Sequence, residues 1–152
     1  MSPYEVIKTL KLRTSIGLLL LLISAILSIL SALLPWGIKE GKPIFLPHLP
    51  IRRSMELSLS FSSSFILLYI WIHKRLKKPP SLVLSIINLI VLSLLGISLY
   101  VVVNNLLGDI MYIVGLVYIL SIIVLYVLGV ILTTISKKRL LIEIQIIREI
   151  RE

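Results

Sequence analysis

The sequence predicts an all-α integral membrane protein, with four transmembrane helices in two hairpins and a C-terminal amphipathic helix. Hydrophobic residues make up 58% of the 152-residue chain and charged residues only 15%, whereas a soluble domain is about 45–50% apolar and about 25% charged. The apolar residues fall in four long runs separated by short polar or basic segments. At about 1.5 Å per residue, each run crosses most of a hydrocarbon core roughly 30 Å thick.

A basic segment in the middle of the chain, residues 73–80, organises the predicted topology. It reads His-Lys-Arg-Leu-Lys-Lys-Pro-Pro and carries four permanent positive charges. Such charges are costly inside a bilayer and collect on its cytoplasmic side. The N-terminal tail and residues 137–139 are also basic, while the turn at 104–109 has no positive charge. We therefore expect a multi-pass protein of the cell membrane with both termini in the cytoplasm.

The first predicted span covers residues 15–34, which hold no charged side chain. Ahead of it, Ser2 and Pro3 are residue types that favour the start of a helix. Residues 3–13 are then either a short interfacial helix or a frayed tail. No cleavage motif of the signal-peptide type follows the run, so we expect it to remain as a span.

Small side chains recur along this first span. Ser24, Ser28 and Ser31 have helical spacing, with Ala25 and Ala32 beside them. Small residues on one helix face allow a second helix to approach closely. We therefore predict that Ser24 and Ser28 pack against another helix, in preference to the alternative of a polar path for a solute.

An outer loop is predicted for residues 35–56. It contains four prolines and several apolar side chains, which must pack on the bilayer surface, the helix ends or a partner chain. Trp36 has the residue type of the interfacial aromatic belt. His48 has no second metal ligand at a suitable spacing, so we expect a surface or packed histidine there.

The second predicted span, residues 57–73, begins with a serine-rich half. Alternation of serine with apolar residues suits a strand, but a single strand cannot satisfy its backbone in lipid, so we predict a helix. The serines indicate that this half faces other helices or water. Tyr69 and Trp71 are expected to anchor the cytoplasmic end.

The third predicted span, residues 81–103, contains one amide side chain, Asn88. An amide in hydrocarbon needs a partner, so we expect Asn88 to face the bundle interior and hydrogen-bond to another helix. The alternative is a contact with a solute or ion. In the turn at 104–109, Asp109 is expected to cap the next helix.

The fourth predicted span, residues 110–136, carries two series of residues that repeat every seven positions. They are Gly108, Gly115, Ile122 and Gly129, and Tyr112, Ile119, Tyr126 and Thr133. Together they form the a/d pattern of left-handed helix packing, in which glycine admits a neighbouring backbone. We predict that this face meets other helices, while Val117, Val124 and Leu128 lie towards lipid.

An amphipathic tail is predicted for residues 137–152. Its isoleucines form a broad apolar arc, which Glu143 interrupts, and charged and amide side chains lie opposite. The tail could lie on the cytoplasmic membrane surface, extend the fourth helix, or dock on a partner.

The sequence contains no motif for catalysis, metal binding or cofactor binding. There is no cysteine, and the two histidines lie near the predicted interfaces. No span has an ionisable side chain at its centre, as a proton-coupled transporter usually would. The net charge of +9 is explained by topology, so we expect no nucleic-acid partner. One glutamine and three asparagines are few, which is typical of a thermophile and of membrane proteins generally.

These observations favour a non-catalytic membrane protein, an accessory or structural subunit of a larger membrane complex. We expect its partners to be the lipid bilayer and either other membrane proteins or further copies of the chain. The alternative is an oligomeric channel or small-solute transporter, which the serine-rich half of the second span and Asn88 would suit.

Overall fold

The computed structural model describes residues 3–39, 41–45, 52–75, 82–106 and 113–151. The elements in these ranges, in chain order, are α1 (Pro3–Ser31), β1 (Pro35–Lys39), β2 (Lys42–Phe45), α2 (Arg52–Arg75), α3 (Leu82–Leu106) and α4 (Ile113–Arg151). Four residues with sequence-based expectations lie outside the described residues, and those expectations stay predictions: His48, Gly108, Asp109 and Tyr112.

Three of the described helices are long and apolar enough to cross a membrane. The segments that meet this condition are Tyr4–Ser31, Met55–Arg75 and Val114–Ile147. The described part of α3 contributes a shorter apolar stretch, Ser85–Leu94. The prediction of a helical protein with membrane-spanning segments is confirmed.

Helix α1 is one continuous helix from the N-terminal basic segment through the first apolar run. Residues 3–13 are therefore neither a separate interfacial helix nor a frayed tail. The helix ends at Ser31, earlier than the predicted end at residue 34, and the Leu33 amide donates a hydrogen bond to the Leu30 carbonyl in a closing turn. Pro35 explains the early end, because proline lacks an amide hydrogen and restricts the residue before it.

A β-hairpin occupies the first half of the predicted outer loop. Strands β1 and β2 are antiparallel, with Lys39 paired to Lys42 and Ile38 paired to Pro43. Gly41 lies between them with φ of 77°, a conformation that glycine adopts without a steric penalty. The first half of the predicted outer loop 35–56 thus contains a two-stranded hairpin, and its prolines do not prevent it. In a two-stranded sheet both strands are edges, where proline is tolerated.

Helix α2 is longer than the predicted span at both ends. It begins at Arg52, inside the predicted loop, and it includes His73, Lys74 and Arg75 in its last turn. Those three residues were assigned to the basic segment 73–80, so the start of that segment is helical. Basic side chains in a last helical turn interact favourably with the negative end of the helix dipole.

Helix α4 continues for 39 residues without interruption. The tail 137–152 is therefore an extension of the fourth helix through Arg151, not a separate amphipathic helix. Neither glycine nor proline occurs between Val130 and Arg151 to break the helix. At about 1.5 Å per residue α4 is roughly 58 Å long, well over the roughly 30 Å core of a bilayer.

Helices α1 and α4 pack against each other in opposite directions. Gly17 lies against Gly129, and Ser24 is hydrogen-bonded to Ile122. Residue numbers thus rise along α1 as they fall along α4, which places the first turn of α1 and the last turn of α4 at the same end. The main hydrophobic core lies between α1, α2 and α4, and its large fully buried side chains include Leu21, Met55, Ile66 and Ile122. Helix α3 packs against α2 and α4.

Candidate functional site

The described members of the two seven-residue series lie on one buried face of α4. Gly115, Ile119, Ile122, Tyr126, Gly129 and Thr133 are all buried. The side chains expected to point towards lipid, Val117, Val124 and Leu128, are between 46% and 54% exposed. We call the buried face of α4 together with the α1 residues against it the α1–α4 seam.

Two glycines, Gly17 and Gly129, form the closest part of the seam. A Cβ added to Gly129 would lie 2.7 Å from Leu21 Cγ and 2.9 Å from the Gly17 carbonyl oxygen. A Cβ added to Gly17 would lie 2.8 Å from Thr133 Cγ2 and 3.0 Å from the Gly129 carbonyl oxygen. All four distances are shorter than van der Waals contact, so only glycine allows this approach.

The sequence reasoning selected Gly129 but missed Gly17. A usable signal was present, because Gly17, Ser24 and Ser31 are spaced by seven residues and all three are buried. The same spacing reaches back to Leu10, which is also buried. Extending the serine pattern towards the N-terminus would have found the glycine.

Ser24 and Ser28 each bond to the backbone of a different helix. Ser24 Oγ donates to the Ile122 carbonyl of α4 at 3.0 Å, and Ser28 Oγ donates to the Leu59 carbonyl of α2 at 3.2 Å. Both serines are fully buried. Adjacent turns of α1 are thus joined to two partners through small polar side chains.

Trp36 closes the seam at the end nearest the β-hairpin. Its ring lies directly over Gly115, where any Cβ would collide with it, and packs edge-to-face with Tyr118 at 6.2 Å between centroids. Its Nε1 donates to the Ser31 carbonyl at 2.6 Å, which satisfies one of the last carbonyls of α1. The expectation of an interfacial tryptophan was wrong, because the side chain is fully buried.

Tyr69 is also buried and does not anchor the helix end as expected. Its hydroxyl lies 3.2 Å from Thr133 Oγ1 and 3.2 Å from Thr134 Oγ1, which joins α2 to α4. Trp71 is 55% exposed, and the Arg75 guanidinium lies 5.2 Å from its ring centroid. An exposed tryptophan paired with a cation is typical of a membrane interface, and the anchoring role expected of Trp71 stays a prediction.

Asn88 is fully buried, on the inner side of α3. The expected hydrogen bond to another helix is not formed with any described residue, since neither Nδ2 nor Oδ1 has a partner there. The amide lies close enough to the Tyr126 hydroxyl to interact with it, although it meets no hydrogen-bond geometry there, and that hydroxyl donates to the Ser85 carbonyl at 3.0 Å. Ser62 Oγ and His73 Nδ1, both on α2, are also buried without a partner in the described residues.

A basic cleft opens at the end of the bundle where α1 begins and α4 ends. Its volume is about 480 Å³, and α1, α2 and α4 all contribute to its lining. The described residues that line it are Lys11, Thr14, Ser15, His73, Lys74, Arg75, Lys137 and Leu140. We call this set the basic cleft. Positive charges from three separate segments of the sequence thus meet at one place.

Comparison with known proteins gives no relative: no family model, no curated protein and no solved structure matches the chain. Within the described ranges there is also no group of three or more histidine, aspartate or glutamate residues that could hold a metal ion. The interior hydroxyls described above mostly join helices, while four buried polar atoms lack a hydrogen-bond partner in the described residues: Ser62 Oγ and His73 Nδ1 of α2, and Nδ2 and Oδ1 of Asn88 in α3.

Proposed function

We propose that the chain is a non-catalytic multi-pass membrane protein that acts as an accessory or structural subunit of a larger membrane complex. The observation that carries this proposal is that several interior hydroxyl groups bond to a neighbouring helix. The hydroxyls of Ser24, Ser28, Tyr69 and Tyr126 all contact another helix. Such contacts hold helices together in a bilayer, where hydrophobic burial supplies no force between them.

The proposed architecture has four spans in two hairpins, α1 with α2 and α3 with α4. Helix α3 supports this because it has 25 residues, roughly 37 Å at 1.5 Å per residue, and no charged side chain. Contacts between consecutive helices support it as well: Ser28 joins α1 to α2, and Tyr126 joins α4 to α3. The closest packing, however, joins α1 to α4, across the two hairpins.

Both termini are proposed to be cytoplasmic. Antiparallel packing of α1 and α4 places the termini together, and the same end carries the basic cleft. By the positive-inside rule, that end faces the cytoplasm.

The subunit proposal is tested by purification of the tagged full-length chain from its native membranes in a mild detergent. We expect one membrane protein to co-purify at a fixed ratio through two successive chromatographic steps. The matched control is the same tagged chain made in a foreign host, which should lose that species. Recovery of the chain alone from native membranes, at every detergent strength that keeps it folded, would contradict the proposal.

An oligomeric channel or small-solute transporter is the second candidate. Ser62 and Asn88 favour it, because their polar atoms are buried without a hydrogen-bond partner among the described residues, which is costly and is retained where such atoms contact a solute. A groove of about 410 Å³ between α1 and α2 adds serine hydroxyls and Glu56 to its lining. Solute flux in vesicles containing only the purified chain, reduced by Asn88→Val, would select this candidate over the first.

A further inference from the structure

The basic cleft gathers four cationic side chains from three helices. Lys11 comes from α1, Lys74 and Arg75 from the last turn of α2, and Lys137 from α4. None of the described residues that line the cleft is acidic. The fold therefore brings like charges together without an acidic side chain among the described lining residues. Such charges repel one another, and an anion bound between them would relieve the repulsion.

Part of this charge has a structural use. Lys137 Nζ donates to the His73 carbonyl at 2.7 Å and so satisfies one of the terminal carbonyls of α2. The negative end of the α2 dipole, equivalent to about half an elementary charge, offsets only a small part of the other three cations, Lys11, Lys74 and Arg75. Lys11, Lys74 and Arg75 are exposed at the cleft, so an incoming anion can reach them.

The volume and charge of the cleft fit a small anion more closely than a polypeptide. Its volume of about 480 Å³ holds a phosphate group and part of a glycerol backbone. Leu140 provides an apolar side to the lining, while Thr14 and Ser15 use their hydroxyl hydrogens on the carbonyls of Leu10 and Lys11. Recognition therefore falls to the cations, as in basic pockets between membrane helices that bind lipid headgroups.

We propose that the basic cleft is a binding site for a phosphate-bearing anion, either the headgroup of an anionic lipid or free phosphate. Lys11 and Lys74 approach the phosphate from α1 and α2, and Arg75 can present two parallel N–H donors to its oxygens. This assignment does not depend on whether the chain is a complex subunit or a transporter.

The test uses the purified full-length chain in a neutral detergent and isothermal titration calorimetry with three probes. The probes are dioctanoyl phosphatidic acid, dioctanoyl phosphatidylcholine and inorganic phosphate. The cleft variant carries Lys11→Gln and Lys74→Gln. The matched control carries Lys8→Gln and Lys138→Gln, which removes the same net charge from exposed positions that do not line the cleft.

We expect the parent to bind phosphatidic acid more tightly than phosphatidylcholine. A membrane-surface lysine contributes about 1 kcal/mol to the binding of an anionic lipid, so losing two should weaken phosphatidic acid binding about 30-fold. The control variant should change it less than threefold. Tight binding of phosphatidic acid with weak binding of inorganic phosphate would assign the site to lipid, and equal affinities would assign it to free phosphate.

Equal loss of affinity in the cleft and control variants would overturn the proposal, because binding would then follow net charge and not the cleft. Failure of both phosphatidic acid and inorganic phosphate to bind the parent would overturn it as well. Each variant is first compared with the parent by its melting temperature without ligand. If the double cleft variant does not fold, Lys11→Gln alone decides the matter, since it alters one exposed side chain.

Discussion

Gly17 and Gly129 face each other across the contact between α1 and α4, each beside the other's carbonyl oxygen. A Cβ on Gly129 would stand 2.9 Å from the oxygen of Gly17, and a Cβ on Gly17 would stand 3.0 Å from the oxygen of Gly129. The backbones of two helices separated by most of the sequence therefore meet directly. In a bilayer, such close approach and complementary shape provide the attraction between helices.

Alanine at either of these glycines should destabilise the fold. Alanine normally stabilises a helix relative to glycine by about 1 kcal/mol. In the seam, Gly17→Ala or Gly129→Ala adds a methyl group where backbone atoms already lie, and we expect a net loss of roughly 1–3 kcal/mol. The melting temperature of the purified protein in mild detergent measures the effect.

Gly96→Ala is the matched control. An added Cβ there would lie 3.4 Å from Ile119 Cγ2, an ordinary contact, so we expect no loss and a gain of up to about 1 kcal/mol. Val124→Leu, at a side chain 54% exposed, should also be mild. The packing account fails if Gly96→Ala or Val124→Leu lowers the melting temperature more than Gly129→Ala does.

The two tryptophans should report different environments. Trp36 is buried over Gly115, while Trp71 is 55% exposed. In vesicles that contain brominated lipid, the fluorescence of the Trp36→Phe variant, which retains only Trp71, should be strongly quenched. The Trp71→Phe variant should be quenched little, because protein surrounds its remaining indole. If the Trp71→Phe variant, which retains Trp36, were quenched more strongly than the Trp36→Phe variant, the hairpin end of the seam would lie against lipid. That result would contradict the structure.

The sequence predicts the helices and the buried face of α4 because both depend on local spacing. Runs of apolar residues indicate helices in a membrane, where an isolated strand cannot satisfy its backbone. A seven-residue spacing of Gly115, Ile122 and Gly129 shows which residues share a face. Spacing does not show which helix lies opposite, so the pairing of Gly129 with Gly17 required the structure.

The basic cleft and the burial of Tyr69 were beyond the sequence for the same reason. The positive-inside rule places Lys11, Lys74 and Lys137 on one side of a membrane but gives no distance between them. Tyr69 is of the residue type expected at a membrane interface, and it lies near the end of the second apolar run. Only the approach of α4, which carries Thr133 and Thr134, shows that its hydroxyl has interior partners.

Asn88→Val should raise the melting temperature. The amide is fully buried, and neither of its polar atoms has a hydrogen-bond partner of good geometry among the described residues, although the Tyr126 hydroxyl lies nearby. Replacing it removes the cost of a poorly satisfied polar group, about 1–3 kcal/mol. Tyr126→Phe should act in the opposite direction, since it removes the hydroxyl that donates to the Ser85 carbonyl, and should cost about 0.5–1.5 kcal/mol. A lower melting temperature for Asn88→Val would show that the amide is satisfied in the membrane.

Two exposed lysines allow a direct test of orientation, because the chain has no cysteine of its own. In intact cells, an impermeant thiol reagent should label Lys42→Cys, in β2, but should label Lys138→Cys, in α4, only after the membrane is permeabilised. Each substitution removes one positive charge, so the two variants are matched. The opposite labelling pattern would reverse the proposed topology.

The antiparallel seam of α1 and α4 is tested most directly by two distances measured with paired spin labels. One pair is placed at Lys8 and Lys138, and the other at Lys42 and Lys138, all at exposed side chains. About 35 Å of α1 separates Lys8 from Ser31, next to the hairpin that carries Lys42. We predict that the label at position 138 is much closer to position 8 than to position 42. A shorter distance to position 42 would mean that α1 and α4 do not pack in opposite directions and would contradict the seam.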